Sequence, residues 1–441
     1  MNTRPLHLLL PVLAGIALVV FGAGLDAGSY EFRDFDMLQR LFTQARVLFF
    51  YLGLLAVPDI RRFGLYHDDI AASVSVLEPW TTLLAIGAWA VVVIALVWAA
   101  RRRTPWAFAV SWFLVGHAVE STVLPLELVH EHRNYVPSIG IWIALAYYAG
   151  AAWDNAGRLR ALVASAMVIW IVALALVSHM RAETWRSAAV LMETLARHHP
   201  ESYRSASGYA FNGIPNTADL RIRFDAFQRA ATLTNEDVSP LIEMSKIATL
   251  LGGYLDSEEQ APFAANAKSH SMRIVAMKLL ADSGHNARLL SALDAEIARR
   301  LDAERPSTAN MVSLVSLVDC SLGGRSECVR LRQNARRWHE SALTNARIPA
   351  HFRAVLELSA AKLYAIAGES DEAVRHAQLA GRAAADNLNY RLQEATLYAL
   401  LKRWQELGDV LGEIEARFPV RANADATYRD LRNQYNRNWN P

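Results

Sequence analysis

Cysteine is nearly absent from this chain, net charge is close to zero, and from residue 183 onward almost no apolar–polar alternation of the kind that builds sheets appears. The 441 residues include only two cysteines, Cys320 and Cys328. Two thiols without a matched histidine pair fall short of the four ligands of a structural zinc site. With a formal net charge of +2, the chain has no excess of basic residues to mark a nucleic-acid partner. It also lacks a P-loop, a Ser-His-Asp order, a zincin motif and a glycine-rich dinucleotide turn, so none of the common nucleotide-binding or hydrolytic signatures applies.

What the chain has is apolar length. Hydrophobic residues make up 53% of it, and they are unevenly spread. Residues 1 to about 180 form a series of apolar runs, whereas from about 182 onward the sequence is polar, Ala-rich and charged. This predicts a transmembrane helical domain over 1–180 and a soluble one over 181–441. Candidate spans are 6–24, 80–100, 106–123, 139–153 and 162–179, each near the roughly 20 residues that cross about 30 Å of hydrocarbon. Basic residues in short loops favour the cytoplasmic side. Arg4, Arg101, Arg102, Arg103, Arg158 and Arg160 therefore orient five crossings with loop 124–138, and everything after residue 180, on the outer side. In a Gram-negative cell this describes a multi-pass inner-membrane protein with a periplasmic C-terminal domain. Residues 36–57 read as an amphipathic or re-entrant helix on the outer face. A sixth crossing with the N-terminus outside is the alternative.

The polar half repeats a pattern of helix, short break, helix. A helix over 354–367 ends at Gly368, and a second starts after Ser370-Asp371, a suitable N-cap. Ala360, Ala361, Tyr364, Gly368, Ala373 and Ala380 fall close to the small and large positions of a 34-residue tetratricopeptide repeat, and a shift of one period gives 388–421 with Ala395, Tyr398 and Pro419. The expected fold class is all-α: a polytopic helical membrane domain followed by a tetratricopeptide-like α-solenoid. Such a solenoid would bind more than it would catalyse. Cys320 and Cys328 flank a loop-like run, a spacing compatible with a small disulfide-closed loop in an oxidising compartment.

Three polar clusters interrupt or border the apolar runs. One is the string HEHRNYVPS at 130–138, with Glu131, His132, Arg133 and Tyr135. Another is His67-Asp68-Asp69, and the third comprises Glu120 and Glu127. A charge in hydrocarbon costs several kcal/mol by most scales, so these groups belong at a membrane surface or in a watery cavity. The planar fork of Arg133 suits a phosphate or diphosphate head group. Asp68 or Asp69 could act as a base or hold a divalent metal ion, and His67 and His132 could titrate near neutrality or ligate a metal. The structural alternative is that Glu–Arg pairs fix a loop to a neighbouring helix and that the HDD run caps the next segment.

The order of these segments is similar to that of a known family. It runs from RLFTQARVLFFYLGLL at 40–55 through the HDD loop to HEHRNYVPSIG at 130–140, then a last span, Trp185, HPES and repeat-like helices. This arrangement resembles the bacterial relatives of the transmembrane and tetratricopeptide-repeat O-mannosyltransferases, polytopic enzymes of the GT-C glycosyltransferase class. The resemblance implies that a polyprenyl-phosphate-linked sugar is bound on the outer face, with Glu131, His132, Arg133, Tyr135 and His67 near that substrate. Asp68 and Asp69 would be the candidate catalytic carboxylates on the adjoining loop. The repeats would handle a protein acceptor. No metal ligand set follows from it, and no cofactor beyond a divalent metal. GT-C enzymes usually carry a catalytic acidic residue after their first membrane helix, with many more helices following. Here the RLFTQ segment begins about 40 residues in, so the family's N-terminal membrane region is expected to be lacking. The competing expectation is a non-catalytic, membrane-anchored tetratricopeptide scaffold for envelope protein assembly.

Overall fold

A computed structural model describes residues 30, 33–57, 59–99, 104–155, 157–215, 217–252, 270–302 and 307–439. The expected first span at 6–24, Arg4 and Arg101–Arg103 lie outside the described residues. The described residues are all-helical, forming twenty α-helices and no strand. They divide into two compact units, Met1–Pro215 and Asn216–Pro441.

The first unit opens with α1, Met37–Ala56, started by a capping box in which Asp36 and Gln39 satisfy each other's backbone amides. Its buried stripe is Arg40, Thr43, Gln44, Val47, Tyr51 and Leu54, one face of a helix that is polar at one end and apolar at the other. The polar members serve the irregular loop 120–134, whose backbone groups have no regular ladder to join. Arg40 donates from Nε to the Thr122 carbonyl at 2.8 Å and from Nη2 to the Glu120 carbonyl at 2.5 Å, and Nη1 reaches Leu126 O. Gln44 donates to Leu128 O at 2.7 Å. The Tyr51 hydroxyl donates to His130 O and accepts from His130 N. Residues 36–57 thus turn their polar stripe inward, onto a loop of the same unit.

Among the described residues, three helical stretches are long and apolar enough to cross a membrane: Thr81–Ala99, Glu131–Asn155 and Gly157–Thr184. They contain α2 (Thr81–Ala99), α4 (Tyr135–Asn155) and α5 (Arg160–Thr184). Between α2 and α4 lies α3, Pro105–His117, of 13 residues. At 1.5 Å per residue α3 is roughly 20 Å long, and the chain then turns, so the expected span at 106–123 is helical only in its first part. Close approach of α3 and α4 depends on two glycines. A Cβ on Gly116 would fall 2.8 Å from Pro137 Cγ, and one on Gly140 would fall 2.7 Å from Trp112 Cβ. Helix α5 buries none of its residues and turns Leu162, Val168, Ile169, Ile171 and Leu176 outward. A helix that is apolar on every side calls for an apolar surround.

After α5 come α6 (Ala188–His198) and α7 (Tyr203–Gly208), with Ser187 and Ser202 as their N-caps. The change in composition near residue 180 and the packing division after Pro215 are different boundaries. Polarity changes where the apolar run ends, whereas α5 continues to Thr184 and the following helices are tied back to the first unit by the bonds described below.

The second unit runs from α8 (Leu220–Thr232) and α9 (Ser239–Leu250) through α10 (His270–Asp282), α11 (Asn286–Leu301), α12 (Thr308–Leu322), α13 (Ser326–Arg330) and α14 (Arg332–Thr344). It continues with α15 (Ala350–Ile366), α16 (Ser370–Ala383), α17 (Leu388–Leu400), α18 (Trp404–Arg417), α19 (Pro419–Ala424) and α20 (Ala426–Asn438). Four helices, α10, α12, α15 and α17, end in the same way. A residue with positive φ follows each: Gly284, Gly324, Gly368 and Lys402. The next amide then donates back to the carbonyl five residues earlier: His285 to Leu280, Arg325 to Cys320, Glu369 to Tyr364 and Arg403 to Tyr398. This is the Schellman closure, which satisfies orphan carbonyls and reverses the chain. Small side chains then let the paired helices meet: Ala361, Ala377 and Ala395 are fully buried in the last core cluster, beside Leu392, Tyr398, Leu407 and Ile414. Cys320 and Cys328 are disulfide-bonded, joining α12 to α13.

Candidate functional site

The three motif segments HDD, HEHR and HPES are far apart in sequence and meet in one cluster of the first unit. The loop after α1 carries His67, Asp68 and Asp69. The short turn Glu131–Asn134 precedes α4. The end of α5 brings Arg181, and the end of α6 brings His199.

Glu131 is the centre of the cluster. Its Oε1 accepts from the Gly64 amide at 2.5 Å and lies 3.2 Å from His67 Nε2, while Oε2 accepts from Arg181 Nη2 at 2.6 Å. The Arg181 guanidinium also sits over the Phe63 ring, 4.8 Å from its centroid. Beside this, His199 Nδ1 lies 2.8 Å from Asp69 Oδ2 and its Nε2 lies 3.4 Å from Phe63 O. The hydrogen bond to Asp69 raises the His199 pKa above its ordinary value, against the opposing effect of burial. For Asp69, burial alone would raise the pKa, but the hydrogen bond and charge of His199, with His67, outweigh it and hold the carboxyl below its ordinary value. The rings of His67 and His199 meet edge to face at 5.2 Å.

Asp68 is used differently. Its Oδ1 accepts from Ser202 Oγ at 2.5 Å and its Oδ2 from the Arg204 amide at 3.1 Å, so it reinforces the start of α7. Arg204 continues to Glu127 at 3.1 Å and lies over the Tyr66 ring at 4.4 Å. Arg33 reaches the other Glu127 oxygen at 3.2 Å.

Comparison with protein-family models, with curated proteins and with solved structures finds no match in any of the three.

Of the residues singled out in the sequence, His67, Asp69 and Glu131 come together, and Asp68 lies next to them. Arg133 does not join them. Its side chain is 7% exposed, with Nε 3.3 Å from Glu120 Oε2 and Nη1 donating to Glu127 O at 2.5 Å. It is a loop-fixing residue closed to a head group, so the phosphate role expected of it has no open surface to act through. His132 pairs with His130, ring nitrogen to ring nitrogen at 2.8 Å. Tyr135 is 79% exposed at the start of α4 and takes no part in the cluster. Sequence reasoning passed over Gly64, Arg181, His199, Ser202 and Arg204. HPES has no role expected of it, and its signal is a polar, His-rich string at the end of the first helix after the last span. Gly64 has a steric role: a Cβ there would fall 2.7 Å from His199 Nε2.

One ring nitrogen each of His67 and His199 and one oxygen of Asp69 lie within 4.8 Å of one another, so these three side chains could hold a metal ion. The other cysteine- and acid-containing group, Cys320, Glu327 and Cys328, has its thiols consumed by the disulfide.

Proposed function

We propose that this chain is an integral membrane protein of glycosyltransferase-like architecture that binds a polyprenyl-phosphate-linked sugar at the outer membrane face, next to the His67–Glu131–His199 cluster. The observation that carries this reading is convergence. HDD, HEHR and HPES, separated by more than sixty residues each, are joined by the bonds His67–Glu131, Asp69–His199 and Ser202–Asp68. A tether for a scaffold needs no such gathering of carboxylates, imidazoles and guanidinium groups. Within it, Arg204 is the cation suited to a phosphate. Its pair with Glu127 is 45% exposed on both sides, and exposed pairs are worth at most about 1 kcal/mol, so exchange for a phosphate is cheap. The second unit, read as a tetratricopeptide-like solenoid, would present the acceptor. By the positive-inside reading of the basic loops, its side would be the periplasm.

The test is binding of undecaprenyl phosphate to the full-length protein in nanodiscs. Arg204→Ala is expected to weaken binding at least tenfold. Arg133→Ala is expected to reduce thermal stability and leave the affinity of the folded fraction nearly unchanged. Absence of saturable binding by the unaltered protein would end the proposal.

A second reading, a membrane-anchored scaffold, is favoured by one feature of the second unit. Leu322, Leu358, Ile366, Leu397, Leu400 and Leu401 line an open groove of about 480 Å³, with Leu400 74% exposed. Exposed leucines gathered in one groove suit a bound apolar segment. Photo-crosslinking from position 400 in cells, at native expression, would yield a discrete partner if this reading holds and only diffuse products if it does not.

A further inference from the structure

We propose that His67, Asp69 and His199 form a binding site for a transition-metal dication of the zinc type, with Glu131 as the carboxylate that orients His67. Several independent observations converge on this. The donor atoms already lie within 4.8 Å of one another. Metal–ligand bonds of about 2.0–2.1 Å in tetrahedral geometry put ligands roughly 3.3 Å apart, so closure needs side-chain shifts of about 1.5 Å or less.

The two imidazoles are withdrawn from water, His67 with 2% and His199 with 6% of its side chain exposed, while Asp69 keeps 23%. Three protein ligands, with the Asp69 carboxylate partly in solvent, would leave a fourth position for water or an exogenous ligand. That is the pattern of reactive rather than purely structural sites.

His67 adds a separate signal. Its Nε2 faces the Glu131 carboxylate, whereas its Nδ1 is buried with no hydrogen-bond partner. Buried polar atoms without partners are uncommon and call for an explanation. A histidine with one nitrogen on a carboxylate and the other free is how metal-ligating imidazoles are set up, because the carboxylate fixes ring orientation and tautomer. Glu131 is itself fixed by Gly64 N and Arg181, so the orienting group does not wander.

The donor set selects the ion. Two imidazole nitrogens and one carboxylate oxygen suit zinc and its first-row neighbours, while magnesium and calcium prefer oxygen-only shells. Binding would replace the proton now shared between His199 and Asp69. It would also staple the loop after α1 to the segment after α5, with ligands from positions 67, 69 and 199. None of this depends on the sugar-carrier reading, since it requires only these side chains.

The test is direct. Full-length protein in detergent, with any affinity tag removed, is stripped with a chelator and titrated with zinc chloride in the presence of millimolar magnesium. One equivalent per chain, with a dissociation constant below 1 µM, is expected. His199→Asn should weaken it at least a hundredfold, Glu131→Gln by 10–100-fold, and the double variant of the exposed pair, His130→Ala with His132→Ala, should leave it unchanged. Cobalt loading of the unaltered protein gives a check that does not rely on any variant folding: intense d–d absorption marks a four-coordinate site. Binding below a fifth of an equivalent, equal binding by His199→Asn, loss of binding in the His130/His132 variant, or a purely six-coordinate cobalt spectrum would each overturn the proposal.

Discussion

Replacing Glu131 by Ala removes three acceptor contacts at once, and the structure sets the size of the effect. The Gly64 amide and His67 are buried, so water cannot take over either donor. Stranding a buried donor costs about 1–3 kcal/mol, more when the lost partner is charged. Arg181 keeps 27% of its side chain exposed, and water will solvate most of what it loses, leaving under about 1 kcal/mol. The sum is about 4 kcal/mol, roughly a thousandfold in the opening equilibrium of the loop that holds Gly64 and His67. Hydrogen exchange of residues 63–73, read on the full-length protein in nanodiscs, reports that equilibrium. Glu127→Ala is the matched control: it also loses two arginine partners, Arg33 and Arg204, but at an exposed position, so less than about a fivefold change is expected. Glu131→Gln keeps one acceptor oxygen and should fall between them. If Glu131→Ala left exchange in 63–73 within threefold of the unaltered protein, or if Glu127→Ala deprotected it equally, the reasoning that burial decides the magnitude would be wrong.

Three further outcomes are expected. Gly140→Ala should lower the melting temperature in detergent, by about 1–3 kcal/mol of overpacking against Trp112, whereas Gly150→Ala in the same helix, where a Cβ meets nothing within 4 Å, should be neutral or stabilising. Lys402 holds φ at +59° where the other three closures have glycine, so Lys402→Gly should stabilise α17–α18 by about 0.5–1 kcal/mol, measurable as slower exchange there. His339 is wholly buried, and burial, against the opposing hydrogen bond to Ala335 O, pushes its pKa down to about 4. With about 6.5 for the unfolded chain, the unfolded state binds the extra proton first, so stability is full above pH 6.5 and falls as pH drops towards 4, by at most about 3 kcal/mol. Exchange of the α14 amides at pH 4.5 and 7 should show that slope, and its absence would mean that His339 is charged in the folded state.

Some features were legible because they are local. The break-and-restart at Gly368 is a matter of one positive-φ residue and its neighbours, and the chain closes there as the sequence suggests. The 34 residues from Gly368 to Lys402 separate two identical closures, although the second lacks the glycine that would have marked it. The candidate site was legible only in part. His67, Asp69 and Glu131 stood out because charges beside apolar runs are costly. Arg133 stood out for the same reason yet is closed off by Glu120, since a guanidinium can serve either a ligand or its own loop and the string does not say which. Arg181 and His199 were passed over because each sits at a helix end far in sequence from its partners, and the polar string at 198–202 does not say what it will meet.

The sequence by itself determined the helical class, the apolar stretches long enough to cross a membrane, and the short polar segments that interrupt them. Those follow from composition and from periods of three to four residues, which a chain carries wherever it goes. Only the tertiary structure decided that the polar stripe of α1 faces inward to serve loop 120–134, and that positions 67, 69, 131, 181 and 199 share one cluster. It also decided that Arg204 keeps nearly half of its side chain exposed, whereas Arg133 is closed in by Glu120 and the Glu127 carbonyl. Each of these depends on which backbones come within a few ångströms of each other, and that distance is fixed by packing at a glycine or a helix end far away in the chain.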